Sequence, residues 1–288
     1  MGRDDHVTAV HSILPERLTQ VVDAELQAAG VRHVRHGEAD PVTAAEAAAA
    51  DTDALALIGP FRSAAVAEAV EATAPAGLPL LAPVATWAGV TRDDEPGCDD
   101  PARHRGTVLR LVARDTEVAH RIAEHVRANG WHALVVAGEH DYGRQLDGQL
   151  RIAGLPRAED AGDADLVVLG GLVGEAEIKQ AAATVPLPLI AFDGVQGAEL
   201  GDREVHLALP FAPVDGVPPR DLFEGLDQAR RASRLAIRAL DDGASDRPAM
   251  LDALRRLGGF DQHGDPLDPP VWLWRAGPGW NVEPDRPL

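Results

Sequence analysis

Short apolar runs recur along the chain, separated by longer segments in which apolar positions return every three or four residues. The short runs are "VTAVHSI" (7–13), "ALALI" (54–58), "LPLLA" (78–82), "ALVVA" (133–137), "DLVVL" (165–169), "LPLIAF" (187–192) and "VHLAL" (205–209). They alternate little with polar residues, the pattern of parallel strands covered on both faces. The longer segments predict helices. "PERLTQVVDAELQAAG" has Pro15 in its first turn and closes at Gly30. In "RDTEVAHRIAEHVRANG", Val118, Ile122 and Val126 share a face behind a cap at Asp115 or Thr116, and Gly130 stops the helix. "PRDLFEGLDQARRASRLAIRALDDG" predicts one long helix with Leu222, Leu226, Ala229, Ala236 and Leu240 along one side. "SDRPAMLDALRRLGG" follows, capped by Ser245 or Asp246 with Pro248 in its first turn. The alanine-rich stretch 44–50 also reads as helix.

Strand and helix thus alternate along most of the chain, which predicts an α/β fold with doubly wound, parallel-rich sheets. The polar loop "TRDDEPGCDDPARHRG" (91–106) is the clearest break, and it separates two runs of similar units. Two lobes of one fold class are expected.

Composition narrows the function classes. With 288 residues and 45% hydrophobic residues, the chain can bury one large core or two medium ones. No apolar run approaches the ~18 residues of a membrane helix. "MGRDDHVTAV" lacks the apolar core of a signal peptide, so a cytoplasmic location is expected if Met1 is native, and an extracytoplasmic one if a signal has been removed. The net charge of −19 argues against nucleic acid and anionic membranes as partners. The single cysteine, Cys98, excludes an internal disulfide and a cysteine-cluster zinc site.

Several chemistries are missing. No H-E-x-x-H, P-loop, G-x-S-x-G or G-x-G-x-x-G motif occurs. His33/His36 and His120/His125 lack a third ligand at recognisable spacing, and surface or core roles account for them better than a metal. "DLVVLGGLVGEAEI" runs a strand into Gly170, Gly171 and Gly174 before a helix, with Asp193 about twenty residues on, so it partly imitates a dinucleotide site. Its glycine spacing departs from that fingerprint.

Open α/β sheets bind ligands beyond the carboxyl ends of their strands. The predicted strand at 54–58 leads to Ser63, which could cap the next helix or stand at the rim of a site. The strand at 78–82 leads to Ala85, Thr86 and Trp87. The strand at 133–137 leads to Tyr142, the only tyrosine, and the strand at 187–192 leads to Asp193. A hydroxyl, a threonine and free helix N–H groups suit an anionic group. A phenol and a carboxylate suit an ammonium group. Together they suit a small zwitterion such as an α-amino acid.

"ALIGPFRSAAVAEAVEATAPAGLPLLAPVATWAGVT" resembles the first lobe of type I periplasmic solute-binding proteins of the leucine/isoleucine/valine-binding kind. "VLRLVARDTEVAHRIAEHVRANGWHALVVAGEHDYGRQL", "VVLGGLVGEAEI", "LIAFDGV" and "GGFDQHGDP…VWLWRAGPGW" continue the likeness in order, over about residues 50 to 280. The resemblance implies a two-lobed Venus flytrap with a ligand cleft, hinge closure and no covalent chemistry. It implies lobes of 1–110 plus about 213–262, and of 111–212 plus about 263–288. Carried over, Ser63, Ala85 (through its main chain) and Thr86 would hold a ligand carboxylate, and Tyr142 and Asp193 would face its amino group. Trp87 would line the cleft or pack beside it. Leu172 stands where amino-acid-binding relatives often have tyrosine, and Asp193 where they often have glutamate. The segment 155–165 is short for the family.

The expected function is therefore non-enzymatic binding of an amino acid or amide, for ABC-type uptake or ligand sensing. The partners would be the ligand and an ABC permease or a regulatory protein, with no cofactor and no metal. Two alternatives stand beside it: a nucleotide-dependent enzyme using the Gly170-Gly171-x-x-Gly174 turn and Asp193, and a scaffold with a degenerate cleft.

Overall fold

A computed structural model describes residues 8–92, 106–172, 174–195, 205–276 and 282–288. Cys98 and most of the 91–106 loop lie outside these residues. The described chain forms two compact units. Residues up to 92, 106–112 and 220–268 make one unit, and residues from 113 to 219 and from 269 onward make the other.

The first unit is built on a five-stranded parallel sheet of order β2-β1-β3-β4-β5. Its strands are β1 (Ala9–Ile13), β2 (Arg32–His36), β3 (Ala54–Ile58), β4 (Leu80–Ala82) and β5 (Val108–Arg110). Every residue of β1, β3, β4 and β5 is buried, which is why their apolar runs carry no alternation. β2, "RHVRH", has no apolar run to betray it. It is an edge strand, and charged side chains there keep a sheet edge from pairing with other chains.

Helices α1 (Glu16–Ala28), α2 (Pro41–Ala50) and α3 (Ser63–Thr73) connect these strands. α2 confirms helix in the alanine-rich stretch. Asp40 caps it by accepting from the Thr43 amide at 3.0 Å. One side of the sheet packs in a core that includes Val10, Leu18, Val22, Leu26, Ile58, Ala236 and Leu254. The other packs in a core around Ile13, Leu57, Val66, Val70 and Leu80.

The second unit holds a six-stranded sheet of order β11-β10-β9-β8-β7-β6. β6 (Ala133–Ala137), β7 (Leu166–Gly170), β8 (Leu189–Ala191) and β9 (Val205–Leu209) are parallel. β10 (Trp272–Ala276) pairs antiparallel with β9, and β11 (Val282–Pro287) pairs antiparallel with β10 at the sheet edge. α4 (Asp115–Ala128), α5 (Asp141–Ile152) and α6 (Ala176–Thr184) belong to this unit, and α4 and α5 pack in its core with Ile122, Leu146, Leu150 and Phe192. Where a full α/β unit would place a strand beside β6, only a single parallel bridge forms, between Ala133 and Arg157. The chain then reaches β7 with no intervening helix, as the short 155–165 segment suggested.

Two sequence expectations need correction, and a third is narrowed to one of its alternatives. The long 219–243 helix is two pieces, α7 (Pro219–Phe223) and α8 (Leu226–Asp241), because Gly225 adopts φ +75°. A Cβ on Gly225 would lie 2.9 Å from Val84 Cγ1, so the break is also a point of close approach. Asp115 does not cap α4 but is its first residue, and Arg114 occupies the cap position. For α9 (Arg247–Gly258) the cap is Asp246, which accepts from the Ala249 amide at 2.8 Å. Among the described residues no helix is long and apolar enough to cross a membrane.

Candidate functional site

In the first unit, Ser63 and the segment 83–87 meet at the carboxyl ends of β3 and β4. Ser63 is not a cap: it is the first residue of α3, and Arg62 holds the cap position without a side-chain bond to the helix. Instead the Ser63 hydroxyl accepts from the Trp87 amide at 3.3 Å. An oxygen used as acceptor by one amide keeps its proton to donate elsewhere. The uncapped first turn of α3 adds backbone N–H groups and the positive end of the helix dipole.

The loop from Ala85 to Trp87 is held from behind by a residue that composition and motifs did not single out. Arg110, the last residue of β5, is fully buried. Its guanidinium donates to the Ala85 carbonyl at 2.5 Å, to the Trp87 carbonyl at 2.9 Å and to the Thr91 hydroxyl at 2.8 Å. Its charge is met by Asp265, with Nε to Oδ1 at 3.1 Å. Asp265 is itself buried and also accepts from Thr91 Oγ1 at 2.6 Å and from Arg92 Nε at 2.8 Å.

The two carbonyls flanking Thr86 are therefore turned onto Arg110. Thr86 is buried, and among the described residues its amide and hydroxyl make no hydrogen bond. Trp87 is half-buried, with its ring face lying against Gly89, and it packs on the core formed by Val66 and its neighbours. The sequence signal for Arg110 was an arginine inside the otherwise apolar run "TVLRLVA".

In the second unit, three strand ends converge without side chains in the way. A Cβ on Gly194 would lie 2.4 Å from the Gly171 carbonyl oxygen and 3.1 Å from Tyr142 Cε1. This contact brings together the two residues expected to face an amino group: the Tyr142 hydroxyl donates to Asp193 Oδ1 at 3.1 Å. Burial pushes the Asp193 carboxyl's pKa up, while the Tyr142 hydroxyl and the Gly194 amide pull the other way. Leu172 is not brought into this pair. Its amide donates to Glu175 Oε2 at 2.6 Å, and it stands 40% exposed.

Glu175 bears on the nucleotide alternative. Its carboxylate accepts from the Leu172 and His140 amides, at 2.6 and 2.8 Å, so it ties the β6–α5 and β7–α6 loops together. It also occupies the space over Gly138 and Gly171, where a Cβ on Gly138 would sit 2.1 Å from Oε2. A pyrophosphate at the α6 N-terminus would meet this carboxylate rather than open N–H groups. Asp193, the acid a ribose would need, is engaged with Tyr142.

The histidines form a separate cluster on β1 and β2. His11 bonds His36 at 2.9 Å and Asp51 at 3.0 Å. Ser12 Oγ lies 2.9 Å from His33 Nε2, and His33 Nδ1 lies 2.9 Å from Asp23 Oδ1. The order serine–histidine–aspartate is that of a hydrolase triad, but Ser12 is fully buried in β1, with no room for a substrate carbonyl. Burial lowers the pKa of His11, His33 and His36. His120 pairs with Glu124, and His125 packs edge-on against Trp131. Among the described residues no group of three or more His, Cys, Asp or Glu could hold a metal ion.

No protein-family model matches the chain, and no curated protein matches it. Solved structures do. An ABC transporter substrate-binding protein from Desulfitobacterium hafniense, solved in complex with Leu, superposes at TM-score 0.74 with 18% identity, over 96% of this chain and 99% of that one. The branched-chain amino acid transporter substrate-binding protein LivJ from Streptococcus pneumoniae, in complex with isoleucine, gives TM-score 0.74 and 16% identity, over 98% and 99%. A solute-binding protein of an ABC transporter from R. palustris, in complex with benzoate, gives 0.70 and 14%, over 98% and 96%. The expected fold class is borne out: the chain has the type I periplasmic-binding fold.

Proposed function

We propose that this protein is a non-enzymatic receptor for a small carboxylate ligand, an α-amino acid or related amide first among them. The observation that carries the proposal is the Ser63–Trp87–Arg110 arrangement. Arg110 fixes the loop by its carbonyls, and Trp87 fixes Ser63 as a donor. The Ser63 proton, the Thr86 amide and hydroxyl, and the first turn of α3 remain to receive an anion. Tyr142 and Asp193 supply an acceptor for an ammonium group.

The named ligands of the structural neighbours, Leu, isoleucine and benzoate, share a carboxylate, which supports the anionic half of this reading. In a transport role the partner would be an ABC permease; in a sensing role it would be a regulatory protein. Glu175 over the glycine turn weighs against a nucleotide-dependent enzyme.

Thermal unfolding of the protein with a panel of amino acids, their amides and aryl carboxylates tests this. A cognate ligand at a hundredfold excess over its Kd stabilises by about 2.7 kcal/mol. Stabilisation by NAD or ATP and by no carboxylate would overturn the proposal in favour of the nucleotide reading, and a flat response to every compound would favour a scaffold.

A further inference from the structure

A concave surface lies wholly within the first unit, lined by none of the residues of the candidate site. It is an open groove of about 330 Å³ between α8, α9 and the hairpin that follows α9. Its wall includes the apolar side chains of Leu257, Phe260 and Pro266, with Phe260 and Pro266 paired across the hairpin. One residue further on, Leu267 stands 71% exposed, the most exposed large apolar side chain described. A volume of this size is that of a small-molecule site.

The rim is cationic. Arg231, Arg234 and Arg238 project from α8 at i, i+3 and i+7, so they lie along one helix face over about 10 Å. Arg234 is held by Glu25 through two bonds of 2.9 and 3.1 Å. The guanidinium groups of Arg231 and Arg238 form no hydrogen bond and no ion pair with any described residue. On a chain of net charge −19, two arginines without an acid beside an apolar groove are set against the prevailing charge. A guanidinium fork matches a carboxylate two-to-two, and the adjoining apolar wall matches a hydrocarbon tail.

We infer that this groove binds a free medium-chain carboxylate, its tail on Leu257, Phe260 and Pro266 and its head between Arg231 and Arg238. This site does not depend on the proposed function, because it shares no residue with Ser63, Arg110, Tyr142 or Asp193. Calorimetric titration of the full chain with octanoate, 1-octanol and acetate tests it.

Octanoate should bind, acetate should not, and octanol should bind at least tenfold more weakly than octanoate. The exposed double substitution Arg231→Gln/Arg238→Gln should bring octanoate down to the level of octanol, and added salt should weaken octanoate but not octanol. Ser63→Ala should leave octanoate binding unchanged. The inference is overturned if octanoate does not bind, if the double variant binds it as tightly as the unaltered protein, or if Ser63→Ala abolishes its binding.

Discussion

Arg110 and Asp265 form a buried ion pair, Nε to Oδ1 at 3.1 Å, and the guanidinium of that pair also carries the carbonyls of Ala85 and Trp87. Removing one member of a buried pair leaves the other charged and desolvated, at a cost of about 3–5 kcal/mol. Arg110→Met and Asp265→Asn should each lower stability by an amount of this order in urea unfolding. The double variant Arg110→Met/Asp265→Leu should cost clearly less than the sum of Arg110→Met and Asp265→Leu. Additive costs would mean that the pair is not coupled.

Ser63 separates binding from stability. Because it accepts one long bond from Trp87 and does not cap α3, Ser63→Ala should cost about 1 kcal/mol or less in the ligand-free protein. The same change should weaken the ligand found in the panel at least tenfold. A variant that loses stability but keeps its affinity would show that the anion sits elsewhere.

Asp193 gives a pH signature. Its folded-state pKa is raised, chiefly by burial, so the folded protein holds more protons than the unfolded chain. Stability is therefore lost as pH rises from about 3.9, the unfolded value, through the raised folded one. Asp193→Asn should raise Tm at pH 7 and leave it unchanged at pH 3. It should also weaken α-amino acids relative to their deaminated analogues. In the unaltered protein, ligands carrying an ammonium group should bind more tightly as pH rises through that window, because the carboxylate must ionise to meet them.

The histidine cluster acts in the opposite sense. The pKa values of His11, His33 and His36 are lowered by burial, so the unfolded chain binds more protons than the folded one on acidification. Stability should fall as pH drops below about 6.5, the ordinary histidine value. Asp23 and Asp51 hold part of this back, since hydrogen bonds to their carboxylates lower their own pKa and keep them charged beside the rings. Circular dichroism melts between pH 7 and 5 should show the loss. His36→Asn should reduce it, and an unchanged slope in that variant would remove His36 from the account.

Much of the fold could be read from hydrophobic patterning, because parallel strands buried on both faces leave unbroken apolar runs. β3, β6 and β9 fall on the very residues those runs mark. β2 escaped because an edge strand need not be apolar, and its "RHVRH" instead builds a polar network with His11, Asp23 and Asp51. The break at Gly225 escaped because one helical face continues in register across it, and only tertiary approach to Val84 shows why the chain turns there.

Strand-end logic picked out Ser63 and Thr86 in one unit and Tyr142 and Asp193 in the other, which do stand beyond the carboxyl ends of strands, since open sheets present their loops there. Arg110, Asp265 and Glu175 were not legible in that way. Arg110 and Glu175 act on backbone atoms 25 and 35 residues away, at Ala85 and His140, and Asp265 meets Arg110 across 155 residues, so their pairings leave no local pattern.

The single bridge between Ala133 and Arg157 has a practical corollary. Glu159 to Asp163 are all exposed and belong to no strand or helix, and they join that bridge to β7. A surface turn of this kind accepts inserted sequence without disturbing a core. The turn is thus a natural port for a fluorescent reporter, through which the proposed occupancy at Tyr142 and Asp193 could be tested as a change in light.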